Sequence, residues 1–498
     1  MKVTSSNYSS QRNLKLALML FCLITTAVHA ESPSWVHATS FGGGGEDFAW
    51  AIEVGPDHDQ YVTGSFSSTA KFAHTTLVSA GSTDIFLAKY ERSGELVWIV
   101  QAGGPDVDSG QSLALDRDGN VYLTGLFTNS ATFDSTNGAT KTATGTGLTI
   151  FLAKYRPSGA LVWVQTGVAP FVEQNTGIGV AVDAAAGTVY ITGASQGNTV
   201  FSSANGTLST VPGVGTWHMY LAKYNTSGNF QWGQTNAASP NSLPDGIAVD
   251  AKGNAYVTGW LEDKTTFSSN DGNDITVTGF SPAQTTSDFP DDAFLVKYDR
   301  NGNVKWANHI GGYKGIGSAV AVSPTGEVGM VGFVGTINFG LPGEAETIAT
   351  SQPPGTNISL GGGDFTNPYN QDEFIATYNA AGVLQRALRH GGSKQQVATG
   401  IAYDLWGNLY VTGVFQGMNQ PNLFVRKYSG RRVLWTKTAV NAGVFQSNNA
   451  TAISPAVSVN SRGRVFVTGG YQGTASFGSI KLHSAGSTDI FVAELAQD

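Results

Sequence analysis

One phrase recurs along the chain, and any fold it adopts must repeat with it. Ser112–Gly125 (SLALDRDGNVYLTG) returns as Gly246–Gly259 (GIAVDAKGNAYVTG) and Gly400–Gly413 (GIAYDLWGNLYVTG), and looser copies end at Gly64, Gly193, Gly332 and Gly469. A second phrase follows each copy: DIFLAKY over Asp84–Tyr90, then related runs ending at Tyr155, Tyr224, Tyr298, Tyr378, Tyr428 and Leu495. A third phrase ends in Trp98, Trp163, Trp232, Trp306 and Trp435, with Arg386 at the matching place of the fifth copy.

Each phrase alternates apolar and polar residues, or is a short β-branched and aromatic run, between Gly, Asn, Asp and Ser. Those are strands and turns. One unit therefore reads as strand A (IAVD), a tight turn, strand B (VYVTG), a variable connection, strand C (FLAKY), a turn and strand D (LVW). Four antiparallel strands repeating about every 67 residues, with no helical period between them, form the β-propeller pattern. Seven A–B–C sets are present, and the last ends at Leu495 with no strand D after it. The missing strand sits at the other end, in Ser34–Phe41 (SWVHATSF), where it would complete the C-terminal unit and remove a free sheet edge. The expected fold class is all-β: one seven-bladed β-propeller over residues 31–498, four antiparallel strands per blade, its ring closed by that N-terminal strand.

Residues 1–30 read as a secretory signal peptide: Lys2, Arg12 and Lys15 without an acid, an apolar run from Leu16 to Ile24, and Val28-His29-Ala30 before the cleavage point. Ten or so apolar residues fall short of the roughly 20 that a membrane-spanning helix needs. The expected location is secreted or extracytoplasmic (periplasm, cell surface or extracellular), without a membrane span. Cys22, the one Cys, lies inside that signal, and Phe21 before it does not suit lipid attachment. The mature chain then holds together without disulfides, and Cys-based metal sites and nucleophiles drop out.

On these phrases the chain resembles the bacterial SBBP-type seven-bladed β-propeller repeats. Ser79–Gly104 (SAGSTDIFLAKYERSGELVWIVQAGG) follows that repeat almost throughout, and the resemblance extends over residues 34–495. It implies the fold and little about function, because the family carries no agreed catalytic motif. Arg386 in place of Trp, Thr377 and Glu494 in place of Lys, and long connections in units 4 and 5 depart from it. The spacing Ala88, Gly94, Trp98 also resembles the tryptophan-docking repeat of quinoprotein propellers, with Tyr90 where those carry Asp, which implies shared blade mechanics.

Six Trp, counting the one in Ser34–Phe41, and Arg386 are expected at equivalent sites between neighbouring units. The residue closing strand A and the Lys of strand C vary together: Asp116 with Lys154, Asp183 with Lys223, Asp250 with Lys297, Asp404 with Lys427. Ser323 goes with Thr377 and Asn460 with Glu494, while Gly55 with Lys89 breaks the rule. The expectation is a repeated structural ion pair.

B–C connections differ widely in length where A–B and C–D turns are uniform, and variable loops on a rigid scaffold carry binding. Any site is therefore expected on the face shared by the B–C and D–A connections, near units 4 and 5. Acidic residues gather there: Glu262, Asp263, Asp271, Asp274, Asp288, Asp291 and Asp292 in one loop, Glu344, Glu346, Asp364, Asp372 and Glu373 in the other. They form a solvated rim, with calcium as the ion such oxygens could hold. Asp116-Arg117-Asp118-Gly119-Asn120 resembles the start of a calcium loop but lacks the distal Glu, and reads as a hairpin turn. His37, His58, His74, His218, His309, His390 and His483 are scattered. His309 and His390, with Arg386 and Arg389, make the best polar group, and a structural role is favoured. Trp217, Trp260, Phe280, Phe289, Tyr313 and Tyr369 could stack on sugars or anchor a partner.

A net charge of −8 and no basic stripe argue against nucleic acid. The reading is a non-enzymatic binding or scaffold protein, monomeric, holding a protein or a glycan on its variable face. No catalytic, metal-ligating or cofactor-binding residue and no cofactor is assigned. The alternatives are an extracytoplasmic propeller enzyme, polysaccharide-cleaving or quinoprotein-like, with its site in the central opening, and a calcium-stabilised adhesion module.

Overall fold

The computed structural model describes residues 32–496 apart from 172–174, 240, 263, 279–291, 312–314, 336–345, 348–357, 360–370, 391–394, 417–420, 431 and 444–454. Every element among these residues is a β-strand. The signal-peptide reading of residues 1–30 lies outside them.

Unit 2 sets the pattern. Ser109–Leu115, Val121–Asp134, Thr140–Tyr155 and Leu161–Val168 pair in chain order, each antiparallel to the last. The same order recurs in unit 1 (Phe48–Val54 to Leu96–Gly103) and in units 3 to 6. The last A–B–C set, Ala456–Val459, Val465–Tyr471 and Asp489–Ala496, takes Ser34–Gly43 as its outer strand, from Ser34↔Ala496 to Phe41↔Ile490. That pairing was readable from counting strands.

Strands B and C are buried on both faces, as in Gln60–Phe66 and Asp84–Tyr90. Burial on both faces explains why these strands are continuous apolar runs rather than strict alternations. The core lies in the seams between units: Tyr122, Leu152 and Trp163 of unit 2 pack with Val189, Phe201 and Tyr220 of unit 3. Strands A of successive units lie side by side, and Phe48–Val54 touches both Ser109–Leu115 and Ala456–Val459.

The seams carry one repeated device, and it differs from the expected ion pair. Trp163 Nε1 and Lys154 Nζ of unit 2 both donate to the Thr226 carbonyl in the C–D turn of unit 3, at 3.3 and 3.1 Å. Trp232 and Lys223 share the Arg300 carbonyl (3.2 and 2.8 Å), and Trp306 and Lys297 share that of Ala380 (3.3 and 2.7 Å). Each ammonium also lies 5.0–5.2 Å from the centre of a strand B Tyr ring, Tyr122, Tyr190 or Tyr256, an attractive placement. The Asp carboxylates are occupied elsewhere: Asp250 accepts from Asn254 and from the Tyr256 hydroxyl (3.0 Å), and Asp116 likewise from Asn120 and Tyr122. Only Lys427 meets its Asp, Asp404, at 3.6 Å. Lys89, the expected exception, pairs instead with Asp57 and Asp59.

The expected sixth Trp also moves. Trp98 stands opposite Lys89, and the residue standing opposite Glu494 is His37, not Trp35. His37 lies against Gly94 of the next C–D turn, as Trp98 lies against Gly159, so close that a side chain could not be added to either glycine. Trp35 instead packs edge-on to Phe477, 5.0 Å between ring centres.

Candidate functional site

The B–C connections are mostly not free loops. In units 1 to 4 and 7 they fold into hairpins that pair with the upper end of the preceding unit's strand D: Gly43↔Ala70, Gly103↔Thr132, Val168↔Val200, Asn236↔Phe267 and the bridge Val440↔Ser476. Each hairpin buries one Phe fully (Phe72, Phe133, Phe201, Phe267, Phe477). In units 2 to 4 the hairpin then reaches the opposite face, where Thr136, Ala204 and Asn270 donate backbone N–H groups to Gly159, Gly228 and Gly302 of their own C–D turns. These segments latch neighbouring units together.

The acidic rim is dispersed accordingly. Asp271 and Asp274 cap a hairpin tip through Ser269, beside the C–D turn and away from the expected face. Glu262 accepts from Asn241 at 3.0 Å. Asp292, Asp372 and Glu373 begin strands C and are buried. Asp263, Asp288, Asp291, Glu344 and Asp364 lie outside the described residues, as does the side chain of Glu346. Among the described residues no three His, Cys, Asp or Glu side chains are grouped to hold a metal ion. The Asp116–Asn120 segment is a hairpin turn whose carboxylate is filled by its own backbone and Asn120.

His309 and His390 are not brought into one site. His309 is buried, and burial pushes its imidazole down to about 4, leaving it neutral at neutral pH. His390 stands 3.1 Å from Glu373, which also pairs with Arg426 of unit 6. Arg389 grips Asp372 through Nε (2.8 Å) and Nη2 (2.5 Å). Of these pairs, Glu373 with Arg426 spans the seam between units 5 and 6, where the repeat is broken. Of the loop aromatics, Trp260 packs against Ile316, Phe333, Val397 and Val414. Trp217 is half-buried. Phe280, Phe289, Tyr313 and Tyr369 lie outside the described residues.

What the face does present is a feature missed in the sequence. Near the start of strand A, one residue bulges out of the ladder with strand B at the same place in six units: between Ala49 and Ala51, Gly110 and Ser112, Gly177 and Gly179, Pro244 and Gly246, Gly317 and Ala319, and Ala398 and Gly400. The bulged residues are Trp50, Gln111, Ile178, Asp245, Ser318 and Thr399, and all six are partly exposed while the residue before each is buried. Bulges re-aim side chains and recur beside functional sites. Trp50 is stacked on Phe48 at 5.3 Å. Thr399 donates its hydroxyl to the Pro455 carbonyl of unit 7 (2.6 Å), and Gln111 Nε2 donates to Ser109 Oγ (2.8 Å). Lower on strand A, Glu53 stands where other units have Ala114, Ala181, Ala248, Ala321 and Ala402; it accepts from Ser458 at 3.0 Å, and burial pushes its carboxyl up to about 7.

Residues 97–131 match the SBBP β-propeller repeat. An uncharacterized WD repeat-containing protein of Acanthamoeba polyphaga mimivirus is 24% identical over 440 residues, which is 75% of this chain. The chain spans 30% of that relative's length. Among solved structures, the Dos1 propeller is 8% identical, with 94% of this chain and 96% of that one covered at a TM-score of 0.44. A protein of unknown function from Bacteroides caccae is 10% identical (64% and 78% covered, TM-score 0.29), and virginiamycin B lyase from Staphylococcus aureus is 8% identical (70% and 98% covered, TM-score 0.24).

Proposed function

We propose, for a chain that carries the SBBP β-propeller repeat, that it is a non-enzymatic binding or scaffold module: a seven-bladed ring, closed by Ser34–Gly43, that holds a protein or a glycan on the face bearing the strand A bulges. The ring reading is supported by the cyclic order of the strands A and by the pairing of the first described strand with the last. Secretion is supported by the signal-like residues 1–30, and no described helix is long and apolar enough to cross a membrane.

One observation carries the binding reading. Six units repeat the same backbone bulge and place six different residue types at that partly exposed position. A recurring backbone geometry that exposes a changing side chain is the arrangement in which a rigid scaffold carries binding. The expected behaviour is that immobilised 31–498 protein retains a partner from its own extracytoplasmic milieu, that Gln111→Arg and Thr399→Arg abolish retention, and that Trp406→Ala on the opposite face leaves it intact. Retention lost equally from the Trp406 variant, or kept in both bulge variants, would overturn the assignment of the face.

A further inference from the structure

The six bulged positions also say what chemistry the face accepts. None of the six is Lys, Arg or His, so the bulged positions themselves bring no cation to a phosphate or a carboxylate. One carboxylate, Asp245, is too little to select a polycation. What remains is a flat aromatic, Trp50, an amide, Gln111, two hydroxyls, Ser318 and Thr399, one carboxylate and one aliphatic, Ile178.

The groups are held rather than loose. Phe48, which backs Trp50, is buried and fits beside Gly470 of unit 7, where other units carry Ser65, Leu126, Trp260 or Phe333. Thr399 spends its proton on Pro455 and keeps its oxygen free to accept. Gln111 directs its amide nitrogen to Ser109 and leaves its carbonyl as an acceptor. A fixed aromatic plane beside uncharged donors and acceptors suits a ligand with an apolar flat side and hydroxyls around its edge. That is a pyranose ring.

We propose that the bulged residues converge at the mouth of the ring and bind a neutral saccharide, Trp50 stacking on one sugar ring while Asp245, Gln111, Ser318 and Thr399 take its hydroxyls. This rests on the binding-face reading above and narrows its ligand.

The test is isothermal titration of the 31–498 protein with neutral hexasaccharides of glucose (β-1,3 and β-1,4), mannose, xylose and N-acetylglucosamine. At least one is expected to bind. Trp50→Ala should weaken it tenfold or more, Asp245→Asn and Gln111→Ala roughly threefold each, and Trp406→Ala not at all. Asp245 and Gln111 are partly exposed, so those variants carry the test if Trp50→Ala lowers the melting midpoint. No binding of any hexasaccharide up to about 10 mM, which is weaker than about −3 kcal/mol, overturns the proposal. So does binding that Trp50→Ala and Asp245→Asn both leave unchanged. Retention of a protein partner that Gln111→Arg abolishes would in either case leave the face standing and only its ligand class wrong.

Discussion

The seams of units 2, 3 and 4 and the seam between units 5 and 6 are built from opposite materials. In the first three, an indole N–H and an ammonium cross to one carbonyl of the next C–D turn, and uncharged amides join them: Gln165 with Ser202, Gln234 with Asn270, and Asn308 with the Gly382 carbonyl. Between units 5 and 6 the Lys is Thr377 and the Trp is Arg386, which turns over the Tyr428 ring at 5.8 Å. No side chain docks on Gly430, which has open space around it, whereas Gly228 and Gly382 are covered by Trp163 and Trp306. The lost clamp is replaced by charge. Glu373 occupies the position of Ile85, Ile150 and Met219, and its partner Arg426 that of Ala88, Ala153 and Ala222; the Tyr403 hydroxyl adds a bond to Glu327 at 3.0 Å. Only residues 417–420 separate strands B and C of unit 6, too short a run for a latch hairpin, and Glu346–Thr347 of unit 5 pairs with Leu388 and Arg389 instead. A seam can therefore be satisfied by apolar docking or by a buried ion pair, but the second tolerates no missing member.

The largest effect is expected at the last seam. Deleting residues 32–43 exposes the edge of Asp489–Ala496 and the buried Phe41 site; the truncated protein should aggregate or lose cooperative melting, and a truncation that melts like the parent would reject closure by this strand. Next comes the ion pair. Arg426→Ala leaves Glu373 fully buried with only His390 beside it, at a cost of about 3–5 kcal/mol, while Glu373→Leu with Arg426→Ala restores the residue types of the other units and should recover most of it. Equal losses in the single and double variants, by denaturant midpoint, would mean that the seam does not depend on the pair. The docking seams respond differently: Trp163→Ala should cost about 3–5 kcal/mol through lost packing, but Lys154→Met only about 1 kcal/mol, one hydrogen bond. If Lys154→Met costs as much as Trp163→Ala, the clamp is electrostatic and the contrast between the seams dissolves.

The strands and their order were legible because their signals are local: Gly-bounded apolar runs, repeated at fixed offsets. The role of N-terminal Ser34–Gly43 was legible by counting. The partner of the Lys was not, because the paired variation of Asp and Lys records two residues of one local motif without saying that the ammonium crosses to Thr226, Arg300 or Ala380 in the next unit. The latch hairpins did leave a trace, the recurring Phe72, Phe133, Phe201, Phe267 and Phe477 inside segments that look like variable loops. The bulges left none, since a bulge is a mismatch between two strands and neither strand displays it by itself.

Glu53 extends the comparison to the seam between units 7 and 1, where a carboxylate stands in a row of alanines. Burial pushes its carboxyl from 4.5 up to about 7, and burial likewise raises Asp47 and Asp108 to about 6. A carboxyl whose folded value is raised keeps its proton in the folded chain at a pH where the unfolded chain has released it. Folding is then favoured below the unfolded value and loses free energy as pH rises through the folded one. Stability should therefore fall between about pH 4 and pH 7. The raised value of Glu53 would correspond to about 3 kcal/mol for full burial, and to roughly 1–2 kcal/mol once its partial exposure is allowed for. Glu53→Gln keeps an acceptor for Ser458 and removes the titration, so it should raise the melting midpoint at pH 8, leave it nearly unchanged at pH 4, and flatten the profile between them. A profile that Glu53→Gln leaves as steep as the parent's would move the pH dependence to Asp47 and Asp108, on the strand A approaches of units 1 and 2, and Asp108→Asn would then be the variant that flattens it.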